Sequence, residues 1–242
     1  MLGNNHTYDY GVDEISFALK KYFDSGLVSI GAGVNENEAQ RPLVVDLKIG
    51  KASKRVYVFS GYAYNAYEAT NYNCYATSEA PGVNNITSDR VLNLISEIKE
   101  QDDLAYIIIS PHWGKNYHWA TSMQREWANK FIKAGADIVV GHGAHMLQEV
   151  ETVSGRPVIY SLGNFVFNSN GEYRKRSAPP FSLLFQLKAS QDDDQIKLAF
   201  DLTPIFCANH ECGFQPRPAS AEETAFLSER LGYNLNSYSL YT

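Results

Sequence analysis

Four of the six histidines lie where a chain presents side chains to a ligand. His112 follows an apolar run in "IIISPHWG", and His142 and His145 follow another in "DIVVGHGAHM". His6 stands with Asn4, Asn5 and Asp9 in "LGNNHTYDYG", directly before a helix-like stretch. Open α/β sheets gather ligands at the carboxyl ends of their strands, so these groups are expected to converge although distant in sequence. Histidines joined by Asn and Asp make metal-ligand chemistry. Neutral imidazole suits zinc, manganese, iron or nickel, and amide or carboxylate oxygen suits harder ions. Such an ion activates a bound water and polarises a phosphoryl or carbonyl oxygen.

Taken singly, each histidine has a plainer explanation. His112 beside Trp113 could be a hydrogen-bonded core residue, His118 between Tyr117 and Trp119 reads as a rim or packing residue, and His210 reads as exposed. It is their shared placement that points to a common divalent-ion site.

The elements that must position these residues follow from periodicity. "VDEISFALKKYFDSG" (12–26) has apolar residues at Ile15, Phe17, Ala18, Leu19, Tyr22 and Phe23, starts with Asp13 and Glu14 and ends at Gly26, which predicts a helix. "LVSIGAG", "RPLVVDLKIG" and "RVYVFSG" read as strands. Residues 61–86, rich in Tyr, Asn and Ala, read as a long loop, either a mobile surface segment or a polar, aromatic groove for a peptide-like polymer. "TSDRVLNLISEIKEQ" (87–101) predicts a helix capped by Thr87 or Ser88, and "LAYIIIS" (104–110) a buried parallel strand. A helix over 121–136 and the strand "DIVV" (137–140) follow. This alternation predicts a mostly parallel sheet covered by helices. "QEVETVSG", "RPVIYSLG", "FSLLFQLK" and "QIKLAFDLTPI" predict an antiparallel portion, and "SAEETAFLSERLG" (220–232) a helix with a Ser cap and Glu in its first turn. No linker composition interrupts the chain, so one domain over 1–205 with a C-terminal extension over 206–242 is expected.

A net charge of −6 argues against a nucleic-acid partner, and the basic run Arg174-Lys175-Arg176 reads as a solvated loop. No apolar run approaches the roughly 18 residues of a membrane span, and "MLGNNHTYDYG" lacks the basic start and apolar centre of a signal peptide. Cys74, Cys207 and Cys212 make an odd count that implies no disulfide framework. "CANHEC" leaves open one small-loop disulfide, or a zinc site of Cys207, His210 and Cys212 short of the usual fourth ligand.

Taken in order, "NNHTYDYG", "GAGVNENEAQRP", "SPHWG", "GADIVVGHGAHMLQEVE" and "GRPVIYSLGNFVF" resemble the bacterial capsule-synthesis family of CapA type, associated with poly-γ-glutamate capsules. The resemblance covers most of the chain to about residue 170. It implies an α/β, calcineurin-like metallophosphoesterase fold, a sandwich of two mixed sheets flanked by helices with metals at the loops of one edge. By the same resemblance Asn5 is a metal-binding amide, and His6 is a general acid or phosphate-contacting histidine that Asp9 is placed to orient. His112, His142 and His145 are metal ligands, and Asn4 and Asn164 are supporting residues, Asn164 in a structural or a functional role. A phosphate-containing or polymeric substrate, other capsule-synthesis proteins as partners and a place at the cell envelope are implied too.

Two departures stand out. The family's last motif commonly reads Gly-His-His-Pro-His, whereas this chain has Gly141-His142-Gly143-Ala144-His145. The family also places a Gly-Asp strand end and an Asn-Leu-Glu motif before the "NNH" stretch, which here begins at residue 4. The N-terminal strand and the carboxylates of a two-metal site are thus expected to be missing, as in a fragment, a mis-started reading frame or a degenerate member. Histidines and an amide bring no negative charge, so ion binding is expected to be much weaker than in a full site. A non-catalytic envelope-assembly component of the same fold is the alternative.

Overall fold

The computed structural model describes residues 1–169, 171–233 and 235. The elements in chain order are α1 (Asp13–Asp24), β1 (Ala32–Gly33), α2 (Glu36–Ala39), β2 (Leu43–Ile49), β3 (Ala52–Tyr62) and α3 (Ala66–Tyr72). Next come β4 (Gly82–Val83), α4 (Asp89–Gln101), β5 (Tyr106–His112), α5 (Ser122–Ala134), β6 (Ile138–Val140), β7 (Val150–Val153) and β8 (Arg156–Ile159). The last are α6 (Glu172–Lys175), β9 (Phe181–Asp192), β10 (Gln195–Phe206), β11 (Arg217–Pro218) and α7 (Ala221–Leu231). A six-stranded mixed sheet has the order β2-β3-β5-β6-β8-β7, a three-stranded sheet the order β11-β10-β9, and β1 pairs with β4. The fold class is the mixed α/β one, with helices flanking the large sheet.

The chain forms two compact units. One comprises Met1–Asp46, Arg55–Trp113 and Trp127–Val139; the other comprises Leu47–Lys54, Gly114–Glu126 and the chain from Val140 on.

In the first unit, β5 runs parallel to β3 in a register from Val56↔Tyr106 to Tyr62↔His112, and parallel to β6 at Ile108↔Ile138. Every residue of β5 up to Pro111 is buried, as a strand covered on both faces requires. Ile107, Ile109 and Ile138 are fully buried, each worth about 1.5–3 kcal/mol relative to exposure. Helix α4 is capped by Ser88, whose side chain accepts from Val91 N, and it buries Val91 and Ile95 one turn apart. The entry to β5 is held by Asp137, whose Oδ2 accepts from Ile107 N and from Lys99 Nζ, both at 2.9 Å.

In the second unit, β9 and β10 form a long hairpin in register from Phe181↔Phe206 to Asp192↔Gln195. Ile196, Leu198, Phe200 and Leu202 of β10 bury one face at the two-residue period of a strand. Helix α7 opens on a reciprocal cap between Ser220 and Glu223.

Three local expectations change. Of "LVSIGAG" only Ala32–Gly33 is strand; Leu27 and Val28 are exposed, so the apolar start has no core to enter. The segment 61–86 is not structureless. Asn65 accepts from Tyr67 N and Glu68 N and starts α3 by capping rather than by periodicity, and Gly82–Val83 pairs with β1. Arg174 and Lys175 lie in α6, not in a loop. Within the C-terminal extension, residues 234 and 236–242 lie outside the described residues.

Candidate functional site

Asn4, Asn5, His6, Asp9 and His112 belong to the first unit, and His142, His145 and Asn164 to the second. Two pairs are brought together: His6 with Asp9, and His145 with Asn164.

The first pair depends on a close backbone approach. A Cβ on Gly3 would stand 2.4 Å from Gly61 Cα, so only glycine lets the N-terminal segment pass the end of β3. Leu2 N donates to Ile30 O at 2.7 Å, and the chain then turns. Asn4 Oδ1 accepts from His6 N at 2.9 Å, an Asx turn that sets the backbone of the histidine. His6 Nδ1 lies 3.0 and 3.3 Å from the two Asp9 oxygens. An ionised carboxylate only accepts, so Nδ1 carries the hydrogen and Nε2 is left for chemistry. Both side chains are exposed, 66% and 53%. Asn5 is half-buried beside them.

His112 ends β5, half-buried, and its carbonyl accepts from Ala63 N at 3.0 Å. The ring of Tyr62, its register partner, stands edge-on at 5.7 Å. Tyr75 stacks on Tyr62 at 6.1 Å and on Tyr64 at 5.6 Å, so the Tyr-rich segment forms an aromatic column ending on His112. The Tyr75 hydroxyl donates to Ala63 O and accepts from Asn65 N, both at 2.8 Å, which fixes the column to the backbone. Burial pushes the Tyr62 and Tyr75 hydroxyls above the usual phenol range.

In the second unit, Gly141 N donates to Ile159 O at 2.8 Å and Leu162 N donates to Gly141 O at 2.9 Å, which anchors the histidine loop on the segment around β8. The loop then takes unusual backbone angles: φ is +109° at Gly143 and +60° at His145. A left-handed histidine is uncommon and persists where its surroundings hold it. Here Tyr117, itself at φ +58°, donates its N–H to Ala144 O at 2.7 Å and stacks its ring on His145 at 5.6 Å. Phe167 lies 4.7 Å from the same imidazole. His145 Nδ1 is 2.9 Å from Asn164 Oδ1, while Asn164 Nδ2 donates back to His145 O at 2.9 Å. A carbonyl only accepts, so the amide is oriented with Oδ1 toward the ring. Nδ1 therefore carries a hydrogen, and Nε2 is the nitrogen left outside the pair.

Tyr117, Phe167 and Tyr173 shape this site, and sequence reading passed them over. The aromatic residues of "GKNYHW" and "GNFVFN" adjoin the histidine motifs, but nothing in their spacing marks which ring meets His145. Of the other two histidines, His118 is half-buried with Nδ1 2.8 Å from Asn116 O, and His210 is exposed with Nε2 2.7 Å from Asn168 Oδ1. Cys74, Cys207 and Cys212 are free thiols. Among the described residues, no group of three or more His, Cys, Asp or Glu side chains is placed to hold an ion. Within the described residues, the donors therefore do not by themselves fit a resident divalent ion.

A mixed α/β protein with histidines at strand ends is the class that fold and residues define. A family model described as "Bacterial capsule synthesis protein PGA_cap" matches residues 1–169, and the chain belongs to that family. It is 30% identical over 176 residues to the "PGA biosynthesis protein CapA" of Bacillus subtilis (strain 168), covering 72% of this chain and 44% of that protein. It is 31% identical over 180 residues to the "Capsule biosynthesis protein CapA" of Bacillus anthracis, covering 73% and 42%. A "probable polyglutamine synthesis accessory protein" of Mycobacterium tuberculosis is 29% identical, covering 70% and 45%. The chain thus spans less than half the length of the curated relatives it matches. Among solved structures, a putative 5'-nucleotidase from Staphylococcus aureus in complex with alpha-ketoglutarate aligns with TM-score 0.48 and 12% identity, over 95% of this chain and 41% of that one.

Proposed function

We propose that this chain serves the synthesis of a poly-γ-glutamate type of capsule at the bacterial envelope, and that its histidines carry out acid–base hydrolysis of a phosphate-containing or peptide-like substrate. Family membership and the capsule and polyglutamine names of its relatives support the first part. One observation carries the second: His6 and His145 both have Nδ1 engaged by an oxygen acceptor, which leaves Nε2 as the working atom. The acceptors differ. A carboxylate behind an imidazole suits it to take up a second proton and hand it on, so His6 is read as the proton donor to a leaving group. The neutral Asn164 amide brings no countercharge and holds the ring hydrogen at Nδ1, so His145 is read as the residue that presents Nε2 to a proton or a cation.

Asn5 and His112 in the first unit, and His142 and His145 in the second, are the donors offered to added manganese, zinc or iron; a stable site needs a further anionic donor. Other capsule-synthesis proteins are the proposed partners. Among the described residues no helix is long and apolar enough to cross a membrane.

Turnover of a phosphodiester and a phosphomonoester reporter, with manganese added, tests the reading. His6→Ala should lower kcat about 100-fold or more, and Asp9→Asn by less, because Asp9 orients rather than reacts. Calorimetric titration with manganese and zinc should show weak uptake that His112→Ala and His145→Ala each reduce. Unchanged uptake in both variants rejects these ligands.

A second reading, a non-catalytic assembly component, is favoured by Gly143. This position stands where the resemblance places a further histidine, and its φ of +109° is one that an L side chain rarely adopts. Reporter turnover no higher than that of the histidine variants would establish it.

A further inference from the structure

Tyr173, Ser182 and Cys207 lie beyond residue 169, where the family match ends, yet Tyr173 and Ser182 bond to Asn164, and Cys207 bonds to both of them. Counting protons gives these bonds a single direction. Asn164 Nδ2 has two hydrogens; one goes to His145 O at 2.9 Å and the other to the Tyr173 hydroxyl oxygen at 3.1 Å. Tyr173 must then send its own hydrogen elsewhere, and Cys207 Sγ is 3.2 Å away. Ser182 Oγ donates to Asn164 O, so it accepts where it meets Cys207 Sγ at 3.0 Å. The Cys207 S–H points to Ser182, with Pro180 O at 3.5 Å as a second acceptor. Each of these donors is then used, and the sequence ends with His145 Nδ1–H on Asn164 Oδ1.

Tyr173, Ser182, Cys207 and Asn164 are all buried. Tyr173 and Cys207 pack with Met146 and Ala208, and Tyr117, Trp119 and Phe206 close over them. Buried polar groups in such surroundings are costly when unmet and rigid when all are met. Burial also pushes the Cys207 thiol and the Tyr173 hydroxyl up, so both keep the hydrogens that the directions require.

We propose that Tyr173 and Cys207 are positioning residues that fix the tautomer of His145 through Asn164, so that the segment beyond the family match completes the site. The use of that tautomer rests on the hydrolytic reading above; its existence does not.

Imidazole nitrogen NMR on the full chain, labelled with nitrogen-15 histidine, reads it directly. In the unsubstituted protein His145 should show one form, protonated at Nδ1 with a bare Nε2. Tyr173→Phe removes the acceptor of one amide hydrogen and the donor to Cys207. The ring should then become a mixture, with the Nε2–H form at about a tenth of the population or more. Cys207→Ala should move the ring the same way, and Cys207→Ser, which keeps a donor and an acceptor, should restore the single form. Thermal unfolding shows which variants fold; should Tyr173→Phe not fold, Cys207→Ala decides. A His145 ring identical to that of the unsubstituted protein in the folded variants overturns the proposal. Reporter turnover separates the two readings: a tautomer that shifts without any turnover defeats the hydrolase alone, and turnover with an unmoved ring defeats the positioning role alone.

Discussion

Asn164 binds His145 at both ends, accepting from the ring at 2.9 Å and donating to the same residue's carbonyl at 2.9 Å. The two bonds tie a side-chain tautomer to a backbone conformation, since the carbonyl they hold belongs to a residue at φ +60°. Asn164→Ala cuts both and leaves a half-buried imidazole and a carbonyl unmet. A loss of about 1–3 kcal/mol in denaturant unfolding is expected. Reporter turnover should fall by more than that loss of folded protein explains. Normal turnover in a destabilised variant would show that the amide is structural only.

Gly143→His returns the residue that the family's motif commonly has. The backbone at φ +109° opposes it, and a cost of about 1–3 kcal/mol is expected, measured as a lower midpoint in denaturant. Manganese uptake by calorimetry should stay as weak as in the unsubstituted chain. Tight uptake would show that the loop relaxes to make a ligand set, which would remove the main support for a non-catalytic role.

Asp137 supports β5, and so His112, from its other end. The carboxylate is nearly buried, 6% exposed against 22% for its partner Lys99. Asp137→Ala removes the counter-charge of the Lys99 ammonium, which keeps only its bond to Ala105 O, and takes away the acceptor of the Ile107 N–H. About 3–5 kcal/mol should be lost, which lowers Tm by roughly 6–20 °C for a chain of this size. Asp137→Asn should be milder, because an amide oxygen can still accept from Ile107.

The parallel strands were legible because burial on both faces writes itself as unbroken apolar runs, "YIIIS" above all. Ser220 and Glu223 announced α7 through capping chemistry confined to four residues. Sequence was silent where one cap stands in for periodicity or where partners lie apart along the chain: α3 is started by the side chain of Asn65, and Tyr62 and Tyr75 stack only after β3 is in place. The site divides the same way. His6 and Asp9 are three residues apart and could be paired on sight. The role of Asn164 was open between structure and function, Cys207 pointed to a disulfide or zinc site instead, and nothing tied it or Tyr173 to His145. Their role is set by the direction of hydrogens across contacts that no periodicity encodes.

The start of α7 should sense acid. Arg217 grips Glu223 with two nitrogens, at 2.7 and 2.8 Å, and Ser220 N donates to the same carboxylate at 2.7 Å. The guanidinium first, and the backbone N–H second, hold the Glu223 carboxyl down at about 2, against 4.5 for an ordinary glutamate. A carboxylate more acidic in the folded chain than in the unfolded one adds stability that is complete above its unfolded value. That contribution fades as pH falls through the folded one. The difference in stability between the unsubstituted chain and Glu223→Gln should therefore be constant above about pH 5 and shrink from 4.5 toward 2. Because Arg217 lies in β11, paired with β10 at Phe206↔Arg217, loss of the grip frees the strand as well as the helix cap. Helical circular dichroism followed against urea at several pH values measures it. A difference that persists unchanged to pH 2 would mean that Glu223 acts there only as a neutral hydrogen-bonding group, and that the charge on its carboxyl contributes nothing to the fold.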